Sequence, residues 1–207
     1  MKTLLHELRS SVLATLALAV VCCGLYPLVI FGIAQLCFGK KANGSLIIDC
    51  NGVLRGSRLL GQQFTGENYF HTRPSAAGSG YDATSSGGSN LGPTSQKLRD
   101  SIAQNIAHYR NQNGLGTNTP VPADAVTASS SGLDPHISLA NAELQVPRVA
   151  KARGLAVEKV RALMNQHIDR ADLGFLGEAG VNVLELNLAL DASTTSASSA
   201  VIARATK

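Results

Sequence analysis

Hydrophobic and polar positions divide this chain sharply near residue 40. From Ser10 to Gly39 the sequence SSVLATLALAVVCCGLYPLVIFGIAQLCFG holds no charged residue. The hydrocarbon core of a bilayer takes about 20 apolar residues of helix, so this run predicts one transmembrane helix over residues 10–39, with length left for tilt. Residues 1–9 form a short leader. A cleaved secretory signal has an apolar core of only about 7 to 15 residues and a small-residue cleavage site. This run is much longer and ends in Gly39-Lys40-Lys41, which favours a retained anchor. Pro27 removes one helical hydrogen bond past the middle of the span, and Gly24 and Gly32 leave room for another helix to approach.

After residue 40 the pattern becomes that of a water-soluble domain spanning 40–191. Two short apolar runs, Ser45–Cys50 and Val53–Leu60, flank Asn51-Gly52, the strongest two-residue hairpin signal, and predict a hairpin ending near Phe64. Residues 66–94, rich in Gly, Ser, Asn and Pro, show neither helical nor strand periodicity. A segment that long inside a domain is more often functional or partner-bound than a passive connector. Leu98, Ile102, Ile106 and Tyr109 recur along one face and predict a helix over 95–111. Ser138 reads as the N-cap of the next helix, Pro147 as a kink or split in it, and Gly154 as its C-terminal stop. Val157, Val160, Met164 and Ile168 mark another helix. Leu184-Glu-Leu-Asn-Leu-Ala-Leu190 alternates with period two and predicts a strand, while the Ser/Thr/Ala-rich 192–207 predicts a disordered tail. The expected fold is one transmembrane helix plus a small α+β domain, with the hairpin and the late strand in a sheet against about three helices.

Composition narrows the function classes. Trp is absent and aromatics are 4%, which argues against a base-stacking nucleic-acid platform. The net charge of +4 is spread along the chain without a basic run. Three of the four cysteines, Cys22, Cys23 and Cys37, fall in the apolar segment, leaving Cys50 alone in the soluble part. Neither an internal disulfide nor a cysteine-based zinc site can form there. The five histidines show no metal-ligand spacing, so no metal is expected.

Three motifs invite a chemical reading. Gly87-Gly-Ser-Asn-Leu-Gly-Pro-Thr94 has the glycine spacing of a phosphate loop, but Pro93 stands where the phosphate-binding Lys belongs and no apolar strand precedes it. Ser131, Asp134 and His136 bring together the residue types of a hydrolase triad, yet no nucleophile elbow surrounds the serine. The plainer reading is an Asp134-Pro135 turn leading to the Ser138 cap. Gln145 and Arg148 lie one turn apart on one helix face. They suit a partner or a nucleotide edge, or simply a solvated face.

Six blocks, taken in order, carry a resemblance. They are Gly56-Ser-Arg-Leu-Leu-Gly-Gln62, Tyr69-Phe-His-Thr-Arg-Pro-Ser-Ala76, Ser86-Gly-Gly-Ser-Asn-Leu-Gly-Pro93, Ser131-Gly-Leu-Asp-Pro-His-Ile-Ser138, Gln145-Val-Pro-Arg-Val-Ala-Lys-Ala-Arg153, and Gly174-Phe-Leu-Gly-Glu178 with Val181-Asn-Val-Leu-Glu-Leu-Asn187. With the anchor and up to about Asp191, the sequence resembles the C-subunit family of the bacterial Kdp potassium-transporting P-type ATPases. The resemblance implies an accessory subunit in the inner membrane, without catalysis, a cofactor or an ion pathway of its own. Its partners would be a pore-like potassium-binding subunit, a P-type ATPase subunit and a small single-span subunit, with ATP and potassium bound by the complex.

The resemblance also implies a catalytic-chaperone role that raises ATP affinity, with Gln145 and Arg148 as nucleotide-interaction candidates. Tyr69, Phe70, Arg73, Pro74, Asn90, Asp134 and His136 stand as candidate partner contacts. The charges flanking the anchor are nearly balanced, so they barely fix its orientation. The family arrangement implies a cytoplasmic N-terminus and a soluble domain outside, across the bilayer from ATP. The ATP effect would then be indirect, with direct nucleotide binding as the alternative.

Overall fold

A computed structural model describes residues 2–49 and 52–193. The chain forms two compact units divided between Ser57 and Arg58. In the first, α1 (Lys2–Ala19) and α2 (Tyr26–Ala42) are joined by a π-helical turn at Val20–Leu25. Residues 2–9 are therefore helical as well. The stretch Thr3–Ala42 is 40 residues and is long and apolar enough to cross a membrane once. At about 1.5 Å per residue it exceeds the hydrocarbon thickness, so only part of it need lie in lipid.

The π turn explains how Pro27 is tolerated. The Tyr26 N–H reaches Val21 O, five residues back. The ladder is thus already shifted where the missing Pro27 donor falls, the kind of local adjustment membrane helices use around proline. Gly24 and Gly32 face open space, with nothing within 4 Å of a side chain built there.

Strands β1 (Leu46–Ile48) and β2 (Leu54–Ser57) form the expected hairpin, with an irregularity between Ile47 and Ile48. It closes at Ser57 rather than near Phe64. Gly52 has φ +77, as its turn requires; Cys50 and Asn51 lie outside the described residues.

The second unit carries α3 (Gln96–Asn113), β3 (His136–Ser138), α4 (Leu139–Arg153), α5 (Val157–Gln166), β4 (Ile168–Asp169), β5 (Gly180–Asn182) and a last helix, α6, over 183–193. Caps follow the sequence. Ser95 Oγ accepts from Leu98 N at 3.4 Å and Ser138 Oγ from Asn141 N at 3.1 Å. Gly154 ends α4 at φ +62. Pro147 does not split α4, which runs unbroken through it. Ile168 belongs to β4, not to α5.

The principal correction is at 184–190, where a strand was expected and α6 forms. Asn182 Oδ1 accepts from Glu185 N at 3.1 Å, an N-cap three residues ahead of a Glu. Val183, Leu186, Asn187 and Leu190 are buried at helical spacing. The strand adjoining them is the three-residue β5, which lies between β3 and β4 in an antiparallel sheet. The hairpin belongs to a separate two-stranded sheet. The α+β class therefore holds, with small antiparallel sheets and four helices of eight residues or more among the described residues of the second unit. Residues 194–207 of the expected tail lie outside the described residues.

One core joins these elements: Ile137 and Val181 from the sheet, Ala142, Val146 and Val149 from α4, Val160 and Met164 from α5, and Val183, Leu186 and Leu190 from α6. Phe70, from the irregular 66–94 segment, is fully buried in the same cluster. Each Val, Leu, Ile, Met or Phe among them contributes roughly 1.5–3 kcal/mol by leaving water.

Candidate functional site

The 66–94 segment has no regular structure, so its buried backbone groups need side-chain partners. Two amides supply them on successive residues. Asn187 Oδ1 accepts from Phe70 N at 2.9 Å and its Nδ2 donates to Phe70 O at 2.9 Å. Gln145 Oε1 accepts from His71 N at 2.7 Å and its Nε2 donates to His71 O at 3.1 Å. The α4 and α6 amides thus pair with residues 70 and 71 as a neighbouring strand would.

Arg148 extends this clamp. Its Nη1 donates to Glu67 O at 2.6 Å and Tyr69 O at 3.0 Å, its Nη2 to Gln145 Oε1 at 2.8 Å, and its Nε to Asn113 Oδ1 at 2.9 Å. Gln145 is 1% and Arg148 9% exposed. The solvated-face reading of this pair is therefore replaced by a buried one. Burial also pushes the Arg148 pKa down from its ordinary value, only partly offset by Tyr109 and Glu67. Arg153 continues the row, with Nε donating to Asn68 O at 2.6 Å and the guanidinium 5.0 Å above the Tyr69 ring.

A cavity of about 540 Å³ lies beside the clamp, lined by His71, Tyr81, His108, Tyr109, Asn141 and Gln145 among others. Several of its polar groups are already bonded within the chain. Tyr109 Oη donates to Asn141 Oδ1 at 2.8 Å, and Asn141 Nδ2 donates to Asp124 Oδ2 at 2.9 Å. His71 Nε2 donates to Gly66 O at 2.9 Å, and burial holds its pKa below the ordinary value.

A second polar cluster forms at β3 and β4. His136 Nε2 lies 2.8 Å from Asp169 Oδ2 and its Nδ1 3.7 Å from Asp134 Oδ1. Arg58 joins Asp169 at 2.6 Å to Glu185 on α6 at 3.0 Å, and Arg73 pairs with Asp134 at 3.0 Å. Asp134 raises the His136 pKa above its ordinary value against the opposing effect of burial, and Asp169 adds to the rise. Burial works against the Asp134 charge, but bonds from His136 and pairing with Arg73 outweigh it and lower its pKa.

The triad expectation fails on this geometry. Both His136 ring nitrogens face carboxylates, and Ser131 Oγ accepts from Leu133 N at 3.1 Å, so the serine has no imidazole base. The phosphate-loop reading fails as well. Gly87 N donates to Ser131 O at 2.9 Å, and residues 58–86, which lead into the loop, hold no strand.

Among the expected partner contacts, Phe70 is fully buried in the core. Tyr69 donates to Asp191 Oδ2 at 3.2 Å, Arg73 and Asp134 pair with each other, and His136 is bonded within its cluster. Pro74 lines the cavity, and Asn90 is exposed at φ +53. Sequence reasoning missed Asn187 and Asn113, whose roles depend on contacts across 117 and 35 residues.

Comparison with known proteins decides the family. The family model "K+-transporting ATPase, c chain" matches residues 8–192. The chain belongs to the KdpC family. It is 55% identical over 166 residues to the potassium-transporting ATPase KdpC subunit of Mycobacterium tuberculosis, covering 80% of this chain and 87% of the relative. The Koribacter versatilis subunit is 52% identical over 185 residues, covering 89% and 94%. That of Rhodospirillum rubrum is 51% identical over 188 residues, covering 91% and 96%. The chain's place is thus in a potassium-transporting ATPase, and among the described residues it has one helix long and apolar enough to cross a membrane, which suggests a single-pass membrane protein.

Proposed function

We propose that the chain is a non-catalytic accessory subunit that stabilises an ATP-driven potassium uptake complex and raises the ATP affinity of the ATP-hydrolysing subunit indirectly. Its partners on this reading are a potassium-binding subunit, the ATPase subunit and a small single-span subunit, and ATP and potassium are bound by the complex. The N-terminus is cytoplasmic and the domain after the anchor is periplasmic.

The observation that carries the reading is the commitment of Gln145 and Arg148. Their hydrogen-bonding groups hold the chain's own backbone at Glu67, Tyr69 and His71, which supports a structural role for this pair over contact with a nucleotide. An indirect effect requires two pump states that bind this subunit with different affinity.

The test is the KM for ATP of the purified complex with and without this chain, alongside azido-ATP labelling. The expected result is a higher KM without the chain and no label on it. Labelling of this chain that Gln145→Ala suppresses while amide exchange of residues 66–77 stays unchanged would establish the direct alternative, which the neighbouring polar cavity favours. Orientation is tested separately with Thr117→Cys in a Cys50→Ser background. An impermeant maleimide should label intact cells.

A further inference from the structure

Between β4 and β5 the chain makes a tight projecting loop. Asp172 and Leu176 exchange both backbone hydrogen bonds at 2.9 Å, closing the loop over Leu173, Gly174 and Phe175. Leu173, Phe175 and Leu176 are 83%, 74% and 52% exposed. Single exposed apolar residues are ordinary, but three large ones within four positions on one tip are not. Leu173 also sits at φ +54, a conformation that favours Gly or Asn. A leucine there adds nothing to the fold of the loop, because its side chain points into solvent.

The charges beside the tip select what covers it. A cleft of about 590 Å³ adjoins the tip and includes Asp172 and Glu178 in its lining. Neither carboxylate has an ion-pair partner among the described residues. Asp134 and Asp169, in the same cleft, are already held by Arg73, His136 and Arg58. Arg170, also in the lining and in no ion pair among the described residues, offsets one of the two free carboxylates, so the unpaired charge beside the tip remains acidic by one. An anionic bilayer surface would repel this acidic margin, and a second copy meeting it face to face would bring like charges together. An apolar socket bordered by Lys or Arg matches both features.

We propose that the Leu173–Leu176 tip is a docking knob for another subunit of the transport complex, which receives it in an apolar socket with a basic rim against Asp172 and Glu178. The proposal rests on the accessory-subunit reading above and names the surface that reading leaves open.

A benzophenone amino acid at position 175 tests it in the intact complex, purified through a tag on another subunit. Position 99, exposed on α3, serves as the control. The expected result is an adduct with another subunit from position 175 and none from position 99. The double variant Leu173→Ser, Phe175→Ser should lower recovery of this chain in the complex at least tenfold, and Asp172→Lys with Glu178→Lys should do the same. The thermal unfolding of each variant chain should stay unchanged, because these side chains are exposed. An adduct with lipid, an adduct with a second copy, or no adduct while the chain co-purifies overturns the knob and leaves the accessory reading standing. Failure of the unmodified chain to co-purify overturns both.

Discussion

Replacing Gln145 with Ala removes four hydrogen bonds at once: two to His71, one to Asn141 and one from Arg148. Each such bond contributes roughly 0.5–1.5 kcal/mol, so four give about 2–6 kcal/mol. The adjoining cavity lets water reach some of the freed groups, which places the expected loss in the lower half, about 2–4 kcal/mol. That is a large share of the roughly 5–15 kcal/mol that holds a domain folded. The loss falls first on the segment that Gln145 pins, which has no ladder of its own. Amide hydrogen exchange on the full chain in detergent reads it directly. Peptides covering 66–77 should exchange about 30- to 1,000-fold faster, at about tenfold per 1.4 kcal/mol. Peptides in α5 should change far less, through global unfolding alone. Exchange in 66–77 within threefold of the parent would refute the clamp. If Gln145→Ala also altered azido-ATP labelling without changing that exchange, the direct nucleotide role would replace it.

Because the His136 pKa is raised by Asp134 and Asp169, the stability it contributes is complete below its ordinary 6.5 and is lost as pH rises through the higher folded value. The unfolding midpoint should fall across that window, His136→Phe should remove that fall, and NMR titration should place the His136 ring above 6.5. Asp134, held low, acts at the other end: its contribution is present above 3.8 and is lost as pH falls through its depressed value, which unfolding in acid with Asp134→Asn as the reference checks. Gly132→Ala should destabilise by more than about 2 kcal/mol, since φ is +68 and the new Cβ would sit 2.6 Å from Ala77 N. Gly154→Ala, at φ +62 in open space, should cost only about 1 kcal/mol, and urea unfolding separates the two. Ser138→Ala should cost about 1–2 kcal/mol, because Ser138 caps α4 and also donates to Asp124 Oδ1 at 2.9 Å. Thermal unfolding checks it.

What the sequence determined by itself are the features whose causes are local. The anchor follows from an uncharged run, the starts of α3 and α4 from Ser95 and Ser138, and the end of α4 from Gly154. The caps depend on residues within one helical turn and the anchor on one unbroken stretch of chain, so composition and spacing suffice. The ordered blocks were specific enough to give the family. Tertiary structure decided wherever two segments compete or combine. Leu184–Leu190 alternates like a strand, yet one face of a helix capped by Asn182 buries Val183, Leu186 and Leu190 better, and only the core chooses. The 66–94 segment looked open to partners, but Phe70 is buried and Asn187 and Gln145 satisfy its backbone. Gln145 and Arg148 looked like a solvated pair because their partners lie more than 70 residues earlier for the backbone contacts. Hydrogen bonds across such distances leave no periodic trace in the chain, and burial converts the same side chains from candidate ligand contacts into supports of the fold.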